Sequence, residues 1–318
     1  MATFASLLKT IEKEKVITIW GHGIPDGDCY GSQIGLREIL RANYPEKEVY
    51  AIGSGCPALF ERLSPMDEID EKTIRESLAI LVDVSCLRRV EDQRVVLAKR
   101  FAKIDHHNPN KKGEAFPYPD AYVDHSKIAC AEIIENFAFE NHLKITKKAA
   151  EALYLGILTD SGCFRFYGTS LNTCQTVCRL MKQGVEPISI RKIVYYEDDR
   201  TKEFHRYLES SVLRRKNVSY VYLKPDDYLS RGMTYEEAGS MVNCIETVGN
   251  PDIYCLFTEK DDGSVRGELR SDKGFPMQPT AIRFQGGGHL FAAGTTTFSY
   301  KESMEVVEEL TKVKPILL

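Results

Sequence analysis

Lys103-Ile104-Asp105-His106-His107 is the stretch on which the reading of this chain turns. Phe101 to Asp105 has the length and composition of a strand. It ends in a carboxylate and two imidazoles, followed at once by Asn108-Pro109-Asn110, which favours a turn. Neighbouring strand residues point to opposite sides, so His106 and His107 are expected to do different work. Asp105 is placed to orient one of the imidazoles. A pair of packing histidines is the plainer alternative for this stretch taken alone.

Other polar motifs also follow apolar runs. Val16 to Trp20 reads as a buried strand and leads into His22-Gly23-Ile24-Pro25-Asp26-Gly27-Asp28, a tight loop before a helix over Ser32–Arg41. Leu78 to Val84 reads as another strand and carries Asp83 after Ala79-Ile80-Leu81-Val82. Lys47–Ile52 and Ala121–Asp124 supply two more strands, and helices are predicted over 129–141, 147–158 and 171–182. Strands alternating with helices predict an α/β fold, a parallel sheet covered on both faces, with ligands gathering beyond the carboxyl ends of the strands. Three of the four acidic motifs fall directly after a predicted strand. Asp160, in Gly156-Ile157-Leu158-Thr159-Asp160-Ser161-Gly162, ends a helix instead.

Pro187 to Arg215 is charged, helical in pattern and without a strand signal, so it reads as a helical linker. Beyond it lies a smaller α/β domain, with strands predicted over 218–223, 253–258, 265–270 and 292–300 and helices over 235–248 and 301–313. The domain boundaries expected are therefore 1–186, 187–215 and 216–318.

Bulk properties narrow the function. A chain of 318 residues suits two domains, and no run of about 18 apolar residues exists to span a membrane. The start of the chain lacks the basic and long apolar regions of a signal peptide. Nine scattered cysteines with no CxxC pair read as reduced thiols of a cytoplasmic protein. Net charge is -4, and residues 206–318 hold 14 Lys and Arg against 16 Asp and Glu. Long duplex nucleic acid is gripped by a basic surface, so an anionic substrate here should be short.

Imidazole with carboxylates, as in His22, Asp26 and Asp28, is a donor set suited to Mn or a similar divalent ion, although Pro-Asp-Gly is ordinary turn chemistry. Asp83, buried at a strand end, requires a metal, a cap or an ion pair with Arg88 or Arg89. Gly286-Gly287-Gly288-His289 reads either as a flexible turn or as a nest of backbone amides for phosphate. Arg270, in Gly267-Glu268-Leu269-Arg270-Ser271, is either a phosphate ligand or a solvated charge.

Taken in order, HxxxDxD, an Asp after a strand, DHH, a further Asp and GGGH resemble the DHH phosphoesterase family with its DHHA1 C-terminal domain. The likeness covers nearly the whole chain. It is greatest to the NrnA-type branch, cytoplasmic bacterial enzymes that degrade very short RNAs and dephosphorylate 3′-phosphoadenosine 5′-phosphate (pAp). The resemblance implies two Mn2+ ions, one held by His22, Asp26 and Asp83 and one by Asp28, Asp83, His106 and Asp160. It implies that His107, oriented by Asp105, faces the scissile phosphate. Arg270, Ser271, Gly286, Gly287, Gly288 and His289 would then hold the substrate, a short RNA or small nucleotide, and a homodimer is compatible with it. Cys29 and Tyr30 depart from the residues usual beside this metal loop. A pyrophosphatase of the same superfamily is disfavoured by GGGH, and a RecJ-like exonuclease by chain length. A linear dinucleotide (pApA) phosphodiesterase and a nucleotide-binding regulator without turnover are the other readings.

Overall fold

The structure is a computed structural model that describes residues 2–56, 59, 62–107, 120–166, 168–194, 197–271 and 273–316. The predicted turn at Asn108-Pro109-Asn110 lies outside them. The chain divides into two compact units, Met1–Tyr195 and Tyr196–Leu318.

The first unit runs α1 (Phe4–Lys13), β1 (Val16–Trp20), α2 (Gly27–Asn43), β2 (Glu48–Ile52), α3 (Glu71–Glu76), β3 (Leu78–Val82), β4 (Arg100–Asp105), β5 (Ala121–Val123), α4 (Cys130–Glu140), α5 (Lys147–Asp160), α6 (Leu171–Lys182) and α7 (Pro187–Val194). Its five strands are all parallel, in the order β2-β1-β3-β4-β5. Strand alternation divides the apolar residues between two layers. Ile17, Ile19, Ile80, Val82 and Ile104 pack with α1, α2, α4 and α5 in the main core. Trp20, Ala79, Leu81 and Phe101 pack with Ile74 of α3 and with Val95 on the opposite face. The apolar start of the chain is therefore a core helix, with Phe4, Leu7 and Ile11 buried.

Register sets the site. Trp20 pairs with Leu81, and Val82 pairs with Ile104. Counting on, the positions of His22, Asp83 and Asp105 fall on one row beyond the carboxyl edge. The order reverses between β1 and β3, the crevice in which doubly wound sheets bind ligands.

Three boundaries differ from expectation near this edge. Helix α2 starts at Gly27 rather than Ser32, because Asp26 caps it by accepting the Asp28 and Cys29 amides at 3.0 and 2.9 Å. Strand β3 stops at Val82 rather than Val84, because Asp83 has φ 52°, the left-handed region that breaks a strand. Strand β4 stops at Asp105, so the alternation expected to separate His106 from His107 does not reach them.

The second unit runs α8 (Asp199–Ser210), β6 (Leu213–Arg215), β7 (Val218–Leu223), α9 (Pro225–Leu229), α10 (Tyr235–Ser240), β8 (Ile253–Glu259), β9 (Val265–Arg270), α11 (Gln278–Arg283), β10 (Gly287–Gly288), β11 (Ala292–Thr297) and α12 (Tyr300–Leu310). Its mixed sheet has the order β10-β11-β9-β8-β7-β6, with only β7 and β8 parallel. Helices α11 and α12 cover one face through Ala281, Val306 and Leu310, and α8 to α10 cover the other through Phe204, Leu208, Tyr228 and Ala238.

Here too the pattern is adjusted. Leu213–Arg215, read as part of a helical linker, is an edge strand paired with β7. The single helix predicted over 235–248 breaks after Gly239-Ser240, both weak helix formers, into a 3-10 turn over Met241–Ile245. The strand predicted to reach Tyr300 ends at Thr297, because Ser299 caps α12 by accepting the Glu302 amide at 3.1 Å.

Candidate metal centre and substrate face

Two helices complete the edge of the first sheet. Helix α2 lies so close to α5 that a Cβ on Gly31 would come within 2.3 Å of the Ala152 carbonyl. A Cβ on Gly156 would come within 2.5 Å of the Asp28 carboxylate. Glycine at these positions lets the first turn of α2, with Asp28, approach the last turn of α5, with Asp160. Helix α4 has no side-chain cap of its own at Ala129. The Asp28 carboxylate takes that place, accepting the Cys130 and Ala131 amides at 2.6 and 3.0 Å. A buried carboxylate is favoured there by the aligned peptide dipoles.

The side chains converge on two imidazole nitrogens. His106 Nδ1 lies 3.2 Å from the Lys127 carbonyl, an acceptor, so Nδ1 carries a proton and Nε2 is the nitrogen turned toward the carboxylates. His106 Nε2 meets Asp83 Oδ1 at 3.2 Å, Asp160 Oδ2 at 3.5 Å and Asp28 Oδ2 at 3.9 Å. His22 is arranged in the same way. Its Nδ1 donates to the Gly23 carbonyl at 3.0 Å, and its Nε2 faces Asp83 Oδ2 at 3.4 Å and Asp26 Oδ2 at 3.8 Å. Asp83 thus faces His22 with one oxygen and His106 with the other.

Ring nitrogens and carboxylates packed this closely require positive charge among them, from protons on the imidazoles or from a metal ion. The titration behaviour shows protons taking that place. Burial, and then the Asp83 charge, push Asp28 up to about 7, and burial with Asp28 and Asp26 raises Asp160 well above the carboxylate range. Burial alone would lower His22 and His106, but the Asp83 carboxylate beside them outweighs it and raises both. Burial alone would raise Asp83, but its two imidazoles hold it well below the usual range. Asp83 Oδ1 is buried and receives no hydrogen bond of good geometry. Four carboxylates around two imidazoles are a donor set for hard or borderline divalent ions, and two such charges would balance the four acids.

His107 belongs to a different chain of contacts. Its Nδ1 donates to Asp105 Oδ1 at 2.8 Å, and it lies 3.5 Å from Asp83 Oδ1. Asp105 is fully buried, and its Oδ2 meets Lys103 Nζ at 2.9 Å. Lys103, buried as well, donates to the Ser85 carbonyl at 2.7 Å. From sequence, Lys103 counts only as a residue of the strand Phe101 to Asp105. A lysine between Ala102 and Ile104 in a central strand was the signal, since buried ammonium groups are rare without a paired acid.

In the second unit the predicted residues do not share one role. Arg270 closes β9, with Nη2 on Glu268 Oε2 at 3.0 Å and Nη1 donating to the Leu269 carbonyl at 2.9 Å. Ser271 is buried, and its hydroxyl donates to the Asp252 carbonyl at 2.9 Å while accepting the Lys273 and Phe275 amides. Its side chain therefore organises the turn after β9. Gly287 and Gly288 form β10 rather than a loop. A Cβ on Gly286 would stand 1.8 Å from the Gly294 carbonyl, so glycine is needed for close backbone approach. The Gly286 and His289 amides donate to the Ala281 and Ala292 carbonyls at 2.9 and 2.8 Å, which commits two amides of any nest. The His289 residue is exposed.

Comparison with known proteins agrees with this layout. Residues 16–157 match the DHH family N-terminal domain, and residues 216–313 match the DHHA1 domain. The bifunctional oligoribonuclease and PAP phosphatase NrnA of Bacillus subtilis is 32% identical over 309 residues, 96% of each chain. The probable bifunctional oligoribonuclease and PAP phosphatase NrnA of Streptococcus mutans is 30% identical over 312 residues, 98% of each chain. The crystal structure of an exopolyphosphatase-related protein from Bacteroides fragilis shares the fold, with a TM-score of 0.81 at 23% identity over 96% of this chain and 94% of that one. On these matches the chain belongs to the DHH family of phosphoesterases, in the form that carries a DHHA1 domain.

Proposed function

We propose that this enzyme is a divalent-metal-dependent hydrolase that cuts RNAs of two to about five nucleotides and pAp to mononucleotides. Residues 1–186 would do the chemistry and residues 216–318 would hold the substrate. The observation that carries this is the ring of Asp28, Asp83 and Asp160 around His106 Nε2, which calls for a cation. His22, Asp26 and Asp83 would hold one Mn2+, and Asp28, Asp83, His106 and Asp160 a second. When bound, such ions lower the pKa of water and offset charge on phosphoryl oxygens.

The remaining work falls to this chain's own groups. Asp83, facing both imidazoles, ties the two halves of the site together. His107 has Nδ1 committed to Asp105, so proton exchange with a phosphoryl or leaving oxygen falls to Nε2. Lys103 fixes Asp105 and thereby the ring. Arg270 and His289 hold a phosphate or terminal nucleotide, with the backbone at Gly286–Gly288 close by. Binding remote from the reacting bond is then used for orientation. A short substrate fits the absence of long basic runs and the net charge of -4. Among the described residues no helix is long and apolar enough to cross a membrane.

The test is a product time course with Mn2+ on pAp, pApA and a labelled RNA five-mer. Mononucleotides from the five-mer and AMP from pAp are expected. Turnover of pApA alone would make the protein a linear dinucleotide phosphodiesterase, and no turnover on any of the three would overturn the reading.

A further inference from the structure

The face of the second sheet that carries Arg270 carries more than that clamp. Residues two apart on a strand share a face, so Arg266, Glu268 and Arg270 stand in one row along β9. Their partners on β8, Thr258, Leu256 and Tyr254, place the row on the side covered by α9 and α10. Glu268 lies between the two guanidinium groups, 2.6 Å from Arg266 Nε and 3.0 Å from Arg270 Nη2. One carboxylate is thus shared by two cations, and the Arg266 side chain is 38% exposed.

The partners of the row on β11 are Thr296, Gly294 and Ala292, so small residues floor the surface beside it. Arg266 pairs with Thr258, two residues before Lys260, and Lys260 leads to Tyr235 at the start of α10. Lys260 Nζ lies 4.6 Å from the Tyr235 ring centre, and the ring opens onto a cavity of about 620 Å³ lined also by Tyr228, Asp261 and Asp262. Acids at the cavity disfavour a phosphate there and can accept the N–H groups of a base. Stacking on a tyrosine is tolerant of base identity and is worth about 1–3 kcal/mol in single-strand binders.

We propose that Arg266 and Tyr235 form a second nucleotide subsite, taking the phosphate and base of a trailing nucleotide that pAp and a dinucleotide lack. It rests on the reading of the enzyme as a short-RNA hydrolase. The four steps of β9 from Arg266 to Arg270 span about 13 Å. At about 3.4 Å per stacked nucleotide that is roughly four steps, and fewer for an extended strand. Arg270 would meet every substrate, and Arg266 only the longer ones.

The experiment measures KM and kcat for an RNA five-mer and for pApA with wild type, Arg266→Gln, Arg266→Lys, Tyr235→Leu and Tyr235→Phe, each checked for an unchanged unfolding midpoint. Arg266→Gln is expected to raise KM for the five-mer about tenfold more than for pApA, with the difference largely recovered by Arg266→Lys. Tyr235→Leu should do the same and Tyr235→Phe should not. Equal changes on both substrates would overturn the inference, since Arg266 would then serve only to hold Glu268 and Arg270. No change on either would overturn it as well. If wild type turns over neither substrate, the short-RNA reading fails first and this subsite falls with it; if wild type turns over both and Arg266→Gln is blind to length, only the subsite fails.

Discussion

The two units treat charge in opposite ways. In the first, Asp26, Asp28, Asp83 and Asp160 crowd two imidazoles at the sheet edge, with ring nitrogens meeting carboxylates. In the second, Arg266 and Arg270 stand on a partly open face and already share Glu268. The first arrangement gathers negative charge that a cation must offset, whereas the second sets two guanidinium groups on one carboxylate and keeps a positive charge for an anion. Loss of a group should therefore be catastrophic in the first unit and graded in the second.

The strongest way to break that contrast is Asp83→Ala. Both imidazoles lose the carboxylate they face, so kcat/KM is expected to fall at least 10³-fold on every substrate, and titration calorimetry should show weakened Mn2+ binding. Near-normal turnover would remove Asp83 from the centre of the site. Chelation of wild type should lower its unfolding midpoint and Mn2+ should restore it, because an ion bound only to the folded state stabilises by mass action. A midpoint indifferent to metal would mean that the carboxylates are balanced by some other means.

A smaller effect is expected one step back from the carboxylate cluster. Lys103→Met frees Asp105 from its ammonium partner and loosens His107, so kcat should drop about 10- to 100-fold with little change in KM. The pH dependence of kcat should shift with it, which a merely structural lysine would not cause. In the second unit, Arg270→Ala should raise KM for nucleotides about tenfold or somewhat more, while a generic aryl phosphodiester is cut nearly as before. Equal loss on both substrates would put Arg270 at the reacting bond and erase the contrast between the units.

How much of this was legible follows from which forces are local. Apolar runs ending in His22, Asp83 and Asp105 could be read directly, because a parallel sheet places the ends of its strands on one edge. Asp160 looked like an ordinary helix end, since nothing near it reveals that α5 lies against Asp28. The glycines at 31, 35 and 156 were the available signal, and their meaning appears only once the two helices are packed. The absence of a capping residue before Cys130 was another, because the cap comes from Asp28, about 100 positions earlier in the chain. Alternation failed at His106 and His107 for a local reason, as the strand stops one residue too soon. In the second unit the glycine run was read as a flexible turn or a phosphate nest, and the close backbone approach at Gly286 depends on a strand pairing that the sequence does not display. Glu268 was quoted beside Arg270, but its part in holding two arginines depends on register, which the sequence does not display.

Asp67 sharpens the comparison from within the first unit, because it shows a largely buried carboxylate that the protein itself neutralises. Its Oδ2 accepts from Arg37 Nη1 and from the Ala51 amide, both at 2.8 Å, and its Oδ1 meets Arg41 Nη2 at 3.1 Å. Burial alone would raise this carboxyl, but the amide and the two arginines outweigh it and hold it below the usual range. A depressed carboxyl adds stability that is present above its unfolded pKa, near 4, and is lost as pH falls through the folded value. Asp67→Asn should therefore cost about 2–3 kcal/mol in urea unfolding at pH 7, since the Arg37 side chain, 1% exposed, keeps only Glu38 and the Pro65 carbonyl. The gap between variant and wild type should narrow below about pH 4, as wild-type Asp67 takes up its proton. Mn2+ should leave that gap unchanged, because this carboxylate has its cations already. A gap that stays constant from pH 3 to 7, or one that closes when Mn2+ is added, would show that Asp67 is not the self-sufficient counterpart of the metal-site acids.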